Sequence, residues 1–251
     1  MAQVREYPTT EHCLGPVQAL DDAPDWIYEL DNPYLHGVYA PTKNELQVEN
    51  LKVTGELPAD LVGAYFRNGP NPLHKPKNRH HPFDGDGMVH GIYFRDGCVE
   101  YRNRYVLTTA LRQELASGKS ISPGVMGPFD YSISRFGIKD TSNTDLFCYN
   151  GDLMTLWYNA GEPYRLDSRT LETKAHFELQ GRPALRMSAH SKVDSHTGEL
   201  LFFDYGDEPP YMTYGVADAS GKLLHEVAID LPGPRLPHDI GFTTRYAIVH
   251  D

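Results

Sequence analysis

Two histidines stand in a setting from which they could do chemistry. His190 lies in RMSAHSKVD and His238 in LPHDIGF, each at the head of an apolar run, 48 residues apart. That interval is about the length of one four-stranded propeller blade. If equivalent strands of successive blades line a central axis, the spacing brings both imidazoles to one point. Neutral imidazole is a good ligand for iron, copper or zinc. A lone histidine in a β protein more often satisfies a hydrogen bond, so both readings stand at this level. Other candidates read as structural. His80 and His81 are adjacent, and adjacent side chains on a strand point to opposite faces, so with His90 they do not form a cluster. Asp84-Gly85-Asp86-Gly87 has the look of a calcium loop but lacks the later ligands of one, and a compact turn before a buried strand suits it better. Asn68-Gly69-Pro70-Asn71-Pro72 reads as a rigid loop at the end of a strand.

The elements that must position these groups are hairpins. Asp96-Gly97, Asn150-Gly151 and Thr197-Gly198 each divide two runs rich in Tyr, Phe, Val and Leu, and Ala219-Ser220-Gly221 does the same further on. Such turns need positive φ and the flanking runs supply strands. One helix is expected, from Ala110 to Ser117, closed by Gly118. The class is all-β, built from consecutive antiparallel hairpins that must pair, close or repeat radially to protect their edges. Residues 1–45, with five prolines, read as an extended N-terminal arm, and residues 46–251 as the β domain. The apolar strand RYAIVHD stops abruptly at Asp251, which points to a chain that is part of something longer.

Composition narrows the partners. The 251 residues are 40% hydrophobic and 23% charged, enough for a real core and against disorder. With 23 Lys+Arg against 34 Asp+Glu, the net charge of -11 repels a phosphate backbone, so nucleic acid is not an expected partner. Three cysteines, Cys13, Cys98 and Cys148, show no CxxC spacing, which excludes a disulfide framework and a structural zinc site and fits a reducing compartment. No signal or spanning segment is visible. A cytoplasmic protein is expected, with room for peripheral contact with a membrane.

The segments NPYLHGVYAPT, GELPADLVGAYFRNGPNP, FDGDGMVHGIYF, YRNRYVLT, RLDSRTLET, AHSKVDSHTGELLFF and HDIGFTTRYAIV follow one another in an order that resembles the carotenoid cleavage oxygenase family, from about Asn32 to Asp251. The resemblance implies a seven-bladed β-propeller with one Fe(II) on its axis, held by four histidines. Two of the four match His190 and His238, and the other two would lie in the half of the family's chain absent from this sequence. It further implies an Fe(II)-dependent dioxygenase that uses O₂ to cleave a C=C bond in an apolar conjugated substrate, an apocarotenoid or else a phenylpropenoid or stilbene, giving two carbonyl products. An iron-dependent isomerase on the same scaffold is an alternative, and so is a propeller acting as a binding module with structural histidines. Thr144, in SNTD, resembles a family position near the open side of the iron, although a threonine there could equally cap a turn. Phe83, Trp157 and Tyr158 could line an apolar tunnel or belong to the core. The family's carboxylate just after the LMTLW strand falls here on Tyr158 or Asn159, neither of them acidic, with Glu162 a few residues on. No lysine occurs between Lys139 and Lys174, which departs from the stilbene-cleaving branch.

Overall fold

The computed structural model describes residues 23–250, apart from residues 160, 181, 183 and 184. Cys13, residues 1–22 of the proline-rich arm and Asp251 lie outside that range. The described chain forms two compact units, which divide between Thr141 and Ser142.

In the first unit, β1 (Gln47–Val48), β2 (Gly63–Pro70), β3 (Gly87–Arg95) and β4 (Cys98–Tyr105) form one antiparallel sheet in the order β1-β4-β3-β2. The β3–β4 turn is the expected one: Asp96 and Gly97 both take positive φ, 52° and 75°, which matches the twist of the strands they join. Helix α1 (Thr109–Ser117) starts one residue earlier than expected, because the Thr108 side chain accepts from the Leu111 N–H at 3.0 Å, and it ends at left-handed Gly118.

Three expectations are corrected here. Residues 23–45 are not simply extended. They contain single 3₁₀ turns at Asp25–Glu29, Pro33–Leu35 and Gly37–Tyr39, and they bury Ala23, Ile27 and Leu35 in a small core of their own. Proline disfavours helix in the residue before it but suits the first helical position, which Pro33 occupies behind an Asn32 cap. Asn68, Gly69 and Pro70 are strand rather than loop, paired with Val89, Met88 and Gly87. Proline is tolerated there because β2 is an edge strand. His80 and His81 lie off any strand, and the His81 ring nitrogen caps the Pro82–Asp84 turn by accepting from the Phe83 N–H.

The DGDG carboxylates hold loops together. Asp84 accepts from the N–H groups of His81 and Val125, both at 2.8 Å. Asp86 pairs with Lys139 at 2.5 Å, and Lys139 also reaches Glu114 of α1 at 2.6 Å.

In the second unit, β5 (Asp145–Tyr149), β6 (Asp152–Leu156), β7 (Tyr164–Leu166) and β8 (Thr173–His176) form one antiparallel meander. A second meander follows in β9 (Lys192–Val193), β10 (Leu200–Tyr205), β11 (Met212–Ala217) and β12 (Leu223–Ile229). The hairpin of β13 (Gly241–Phe242) and β14 (Ala247–Ile248) comes next. Successive residues of a strand face opposite ways. Leu200 and Phe202 of β10 therefore enter a core with Met154, Leu156, Met187 and Ala189, while Leu201, Phe203 and Tyr205 enter another with Met212 and Ile240. A strand buried on both faces accounts for the unbroken run LLFF.

Candidate metal centre

The chain between the two meanders delivers His190. Ser188 bridges in parallel to Trp157 and donates its N–H to the Phe203 carbonyl at 2.8 Å, and the Ala189 N–H reaches the Trp157 carbonyl at 3.1 Å. Residues 187–189 are thus hydrogen-bonded to both meanders, and His190 follows with φ 64°, a conformation costly for a residue that has a Cβ. Asp145, the first residue of β5, holds it there. Its Oδ2 accepts the His190 N–H at 3.1 Å and lies 3.0 Å from His190 Nδ1, while its Oδ1 accepts the Leu146 N–H at 2.8 Å. A carboxylate oxygen only accepts, so Nδ1 carries the proton and Nε2 is left with its lone pair.

His238 lies in the irregular segment before β13. Next to it, Asp239 pairs with Lys192 at 2.7 Å and accepts the Ile240 N–H at 2.7 Å, and Ile240 is anchored in the core behind β10. Partial burial works to raise the Asp239 carboxyl, but Lys192 and the Ile240 N–H outweigh it and hold the group below the ordinary carboxylate range. The segment after each histidine is therefore tied to the other by an ion pair.

The two imidazoles meet, with ring centres 4.9 Å apart and planes inclined at 57°. An imidazole bound through one nitrogen at about 2.1 Å, as in zinc sites, has its ring centre about 3.2 Å from the metal. Two imidazoles on adjacent coordination positions then have centres about 4.5–5 Å apart. The observed separation fits a pair of ligands on one divalent ion. Among the described residues no group of three or more His, Cys, Asp or Glu is placed to hold a metal, and the candidate donors here are His190 and His238.

The remaining candidates make structural contacts of their own. Thr144 extends the β5–β6 pairing: its N–H reaches the Leu156 carbonyl at 3.0 Å, and its hydroxyl accepts the Tyr158 N–H at 3.2 Å. Trp157 is 2% exposed, and Tyr158 stacks edge-on to it at 5.5 Å while packing against the core that holds Met187 and Ala189. The Tyr158 carbonyl accepts from the hydroxyls of Ser188 and Tyr205. Phe83 belongs to the first unit, exposed and edge-on to His81. Glu162 is turned to His176 at 3.2 Å and to the Tyr164 hydroxyl at 3.4 Å, so it does not stand in for a carboxylate at Tyr158 or Asn159. The carboxylate at the site is Asp145, which the residue pattern did not single out. The one sequence signal for it is an acidic residue at the head of a strand, beside Thr144.

Residues 39–251 match the family described as Retinal pigment epithelial membrane protein. The chain belongs to this family. It is 34% identical to isoeugenol monooxygenase of Pseudomonas nitroreducens over 223 residues, which is 87% of this chain and 46% of that protein. It is 34% identical to carotenoid 9,10(9',10')-cleavage dioxygenase 1 of Phaseolus vulgaris over 247 residues, 90% of this chain and 45% of that protein. The crystal structure of Pseudomonas brassicacearum lignostilbene dioxygenase superimposes with a TM-score of 0.79 at 32% identity, covering 87% of this chain and 47% of that one. The chain thus spans about half the length of the relatives it matches.

Proposed function

We propose that this member of the family is a non-haem Fe(II) dioxygenase on a seven-bladed β-propeller, and that His190 and His238 are two of the iron's ligands. The reaction is cleavage of a C=C bond in an apolar conjugated substrate. One O₂ is consumed, each alkene carbon receives one of its oxygen atoms, and two carbonyl products leave. The relatives at 34% identity carry names that point to a phenylpropenoid in one case and a carotenoid in the other, which supports an extended conjugated alkene as the substrate class. The observation that carries the reading is the pair of imidazoles 4.9 Å apart, one of them with its Nδ1 turned to a carboxylate.

When bound, iron supplies the reactivity toward O₂ that side chains lack. His190 offers Nε2 to the metal, held in place through its own backbone and ring by Asp145. His238 offers the second imidazole from a segment pinned by Lys192–Asp239 and Ile240. Neutral ligands leave the ion's full double charge in place. Trp157 and Tyr158 fill the interior behind Ser188 and Ala189 and so fix the segment that presents His190.

The test is reconstitution of the intact protein with Fe(II), followed by metal analysis and O₂ uptake with conjugated alkenes. His190→Ala and His238→Ala are each expected to lose most of the iron and all substrate-dependent uptake. Stoichiometric iron in both variants would overturn the ligand assignment. Iron without substrate-dependent uptake would favour the isomerase, and a protein that takes up no iron would favour the binding module.

A further inference from the structure

We infer that Asp145 is the positioning residue for the iron ligand His190: it selects the ring's tautomer and fixes its direction before any metal arrives. This rests on the ligand reading above. A single oxygen, Oδ2, takes two donors from the same residue, the backbone N–H at 3.1 Å and Nδ1 at 3.0 Å. One contact holds the main chain in its left-handed turn and the other sets the ring torsion, so the imidazole cannot rotate without breaking its bond to the same oxygen that holds its backbone. The carboxylate is itself fixed, because its other oxygen is engaged by the Leu146 N–H at 2.8 Å at the start of β5. Fixing Nδ1–H leaves Nε2 as the ring's lone-pair donor, on an imidazole whose centre lies 4.9 Å from that of His238. A carboxylate that merely braced the loop would need only the backbone contact. The second contact, to the ring, reaches the atoms that determine metal binding.

Two substitutions separate charge from geometry. In Asp145→Asn the single amide oxygen is expected to turn toward His190, where it accepts from two donors, at the expense of the one contact from the Leu146 N–H. In Asp145→Ala both contacts are lost. The metal-free protein, labelled with ¹⁵N in its histidines, reports the tautomer directly. His190 is expected as the Nδ1–H form in the parent and in Asp145→Asn, and as a mixture in Asp145→Ala. Anaerobic Fe(II) titration against a competing chelator is expected to show affinity about tenfold weaker in Asp145→Asn and approaching about 100-fold weaker in Asp145→Ala. Should the alanine variant not fold, weakened affinity with an unchanged tautomer in Asp145→Asn still supports the assignment. Parent-like affinity in Asp145→Asn and, where it folds, in Asp145→Ala overturns it. His190→Ala in the same titration separates the two failures. If it loses iron while the Asp145 variants do not, Asp145 is not a positioning residue and the ligand reading survives. If it retains iron, both fall.

Discussion

Lys139 is a buried ammonium between two buried carboxylates, Asp86 before β3 and Glu114 on α1. Burial alone would lower the lysine's pKa and raise that of Glu114. The opposite charges, together with the Ile121 and Ser122 N–H groups on Glu114, reverse both directions: Lys139 is raised and Glu114 is lowered. Lys139→Met keeps the volume but leaves two facing carboxylates unpaired, so a loss of about 3–5 kcal/mol in denaturant unfolding is expected. The sign with pH follows from the shifts. The Glu114 contribution is present above its ordinary carboxylate value of 4.5 and is lost as pH falls through its depressed one. The Lys139 contribution is present below 10.5 and is lost as pH rises through its elevated one. The parent-minus-variant difference should therefore be greatest between those limits and shrink in acid. A difference that stays flat into the acid range would show that the triad contributes nothing electrostatic. The residue pattern placed Asp84 and Asp86 correctly in a turn but could not show this role, because Asp84 reaches Val125 at a separation of 41 residues, and no local rule looks that far.

Local chemistry made the hairpins legible. Asn150 and Gly151 take positive φ, 48° and 81°, between β5 and β6, as Asp96 and Gly97 do between β3 and β4, because only a few residue types accept that geometry. Where the turn is longer, the pattern misled. Thr197-Gly198 is not a two-residue turn, because backbone pairing resumes at the Asp194 N–H and the Glu199 carbonyl, 2.9 Å apart, and the connection is closed by Asp194 through its carbonyl to the Gly198 N–H at 2.7 Å and its carboxylate to the His196 N–H at 2.8 Å. Packing across strands was also hidden. Gly215 of β11 pairs with Phe202 of β10, and a Cβ at Gly215 would lie 2.3 Å from the Phe202 ring. Phe202 is fully buried, in the core shared by the two meanders, so its ring has nowhere to move. Gly215→Ala should cost about 1–3 kcal/mol in thermal unfolding. Combined with Phe202→Leu, the two costs should fall well short of their sum, because the smaller side chain vacates the contested space. A Gly215→Ala protein as stable as the parent would remove the close-packing explanation for that glycine.

Across the second unit, the 48-residue interval between the two histidines has a structural meaning. His190 leads into β9, the first strand of one sheet, and His238 leads into β13, the first strand of the next hairpin, so the chain returns to an equivalent place after one four-stranded meander. That much was written in the spacing, whereas Asp145 came from a different sheet and was not. The same topology bears on metal choice. With two imidazoles and no group of three or more ligands among the described residues, little in this chain imposes a geometry that would favour iron over its neighbours. Affinity for divalent ions then follows intrinsic ligand preference, which rises from Fe through Co to Ni. The 251-residue chain, titrated with each ion separately under anaerobic conditions, should bind Ni(II) more tightly than Co(II) and Co(II) more tightly than Fe(II). His190→Ala and His238→Ala should abolish the part of the signal that depends on the paired site. If Fe(II) is instead preferred over Ni(II) by the parent and not by the two variants, the two-histidine site carries selectivity of its own, and the geometric argument for an undiscriminating pair of ligands is wrong.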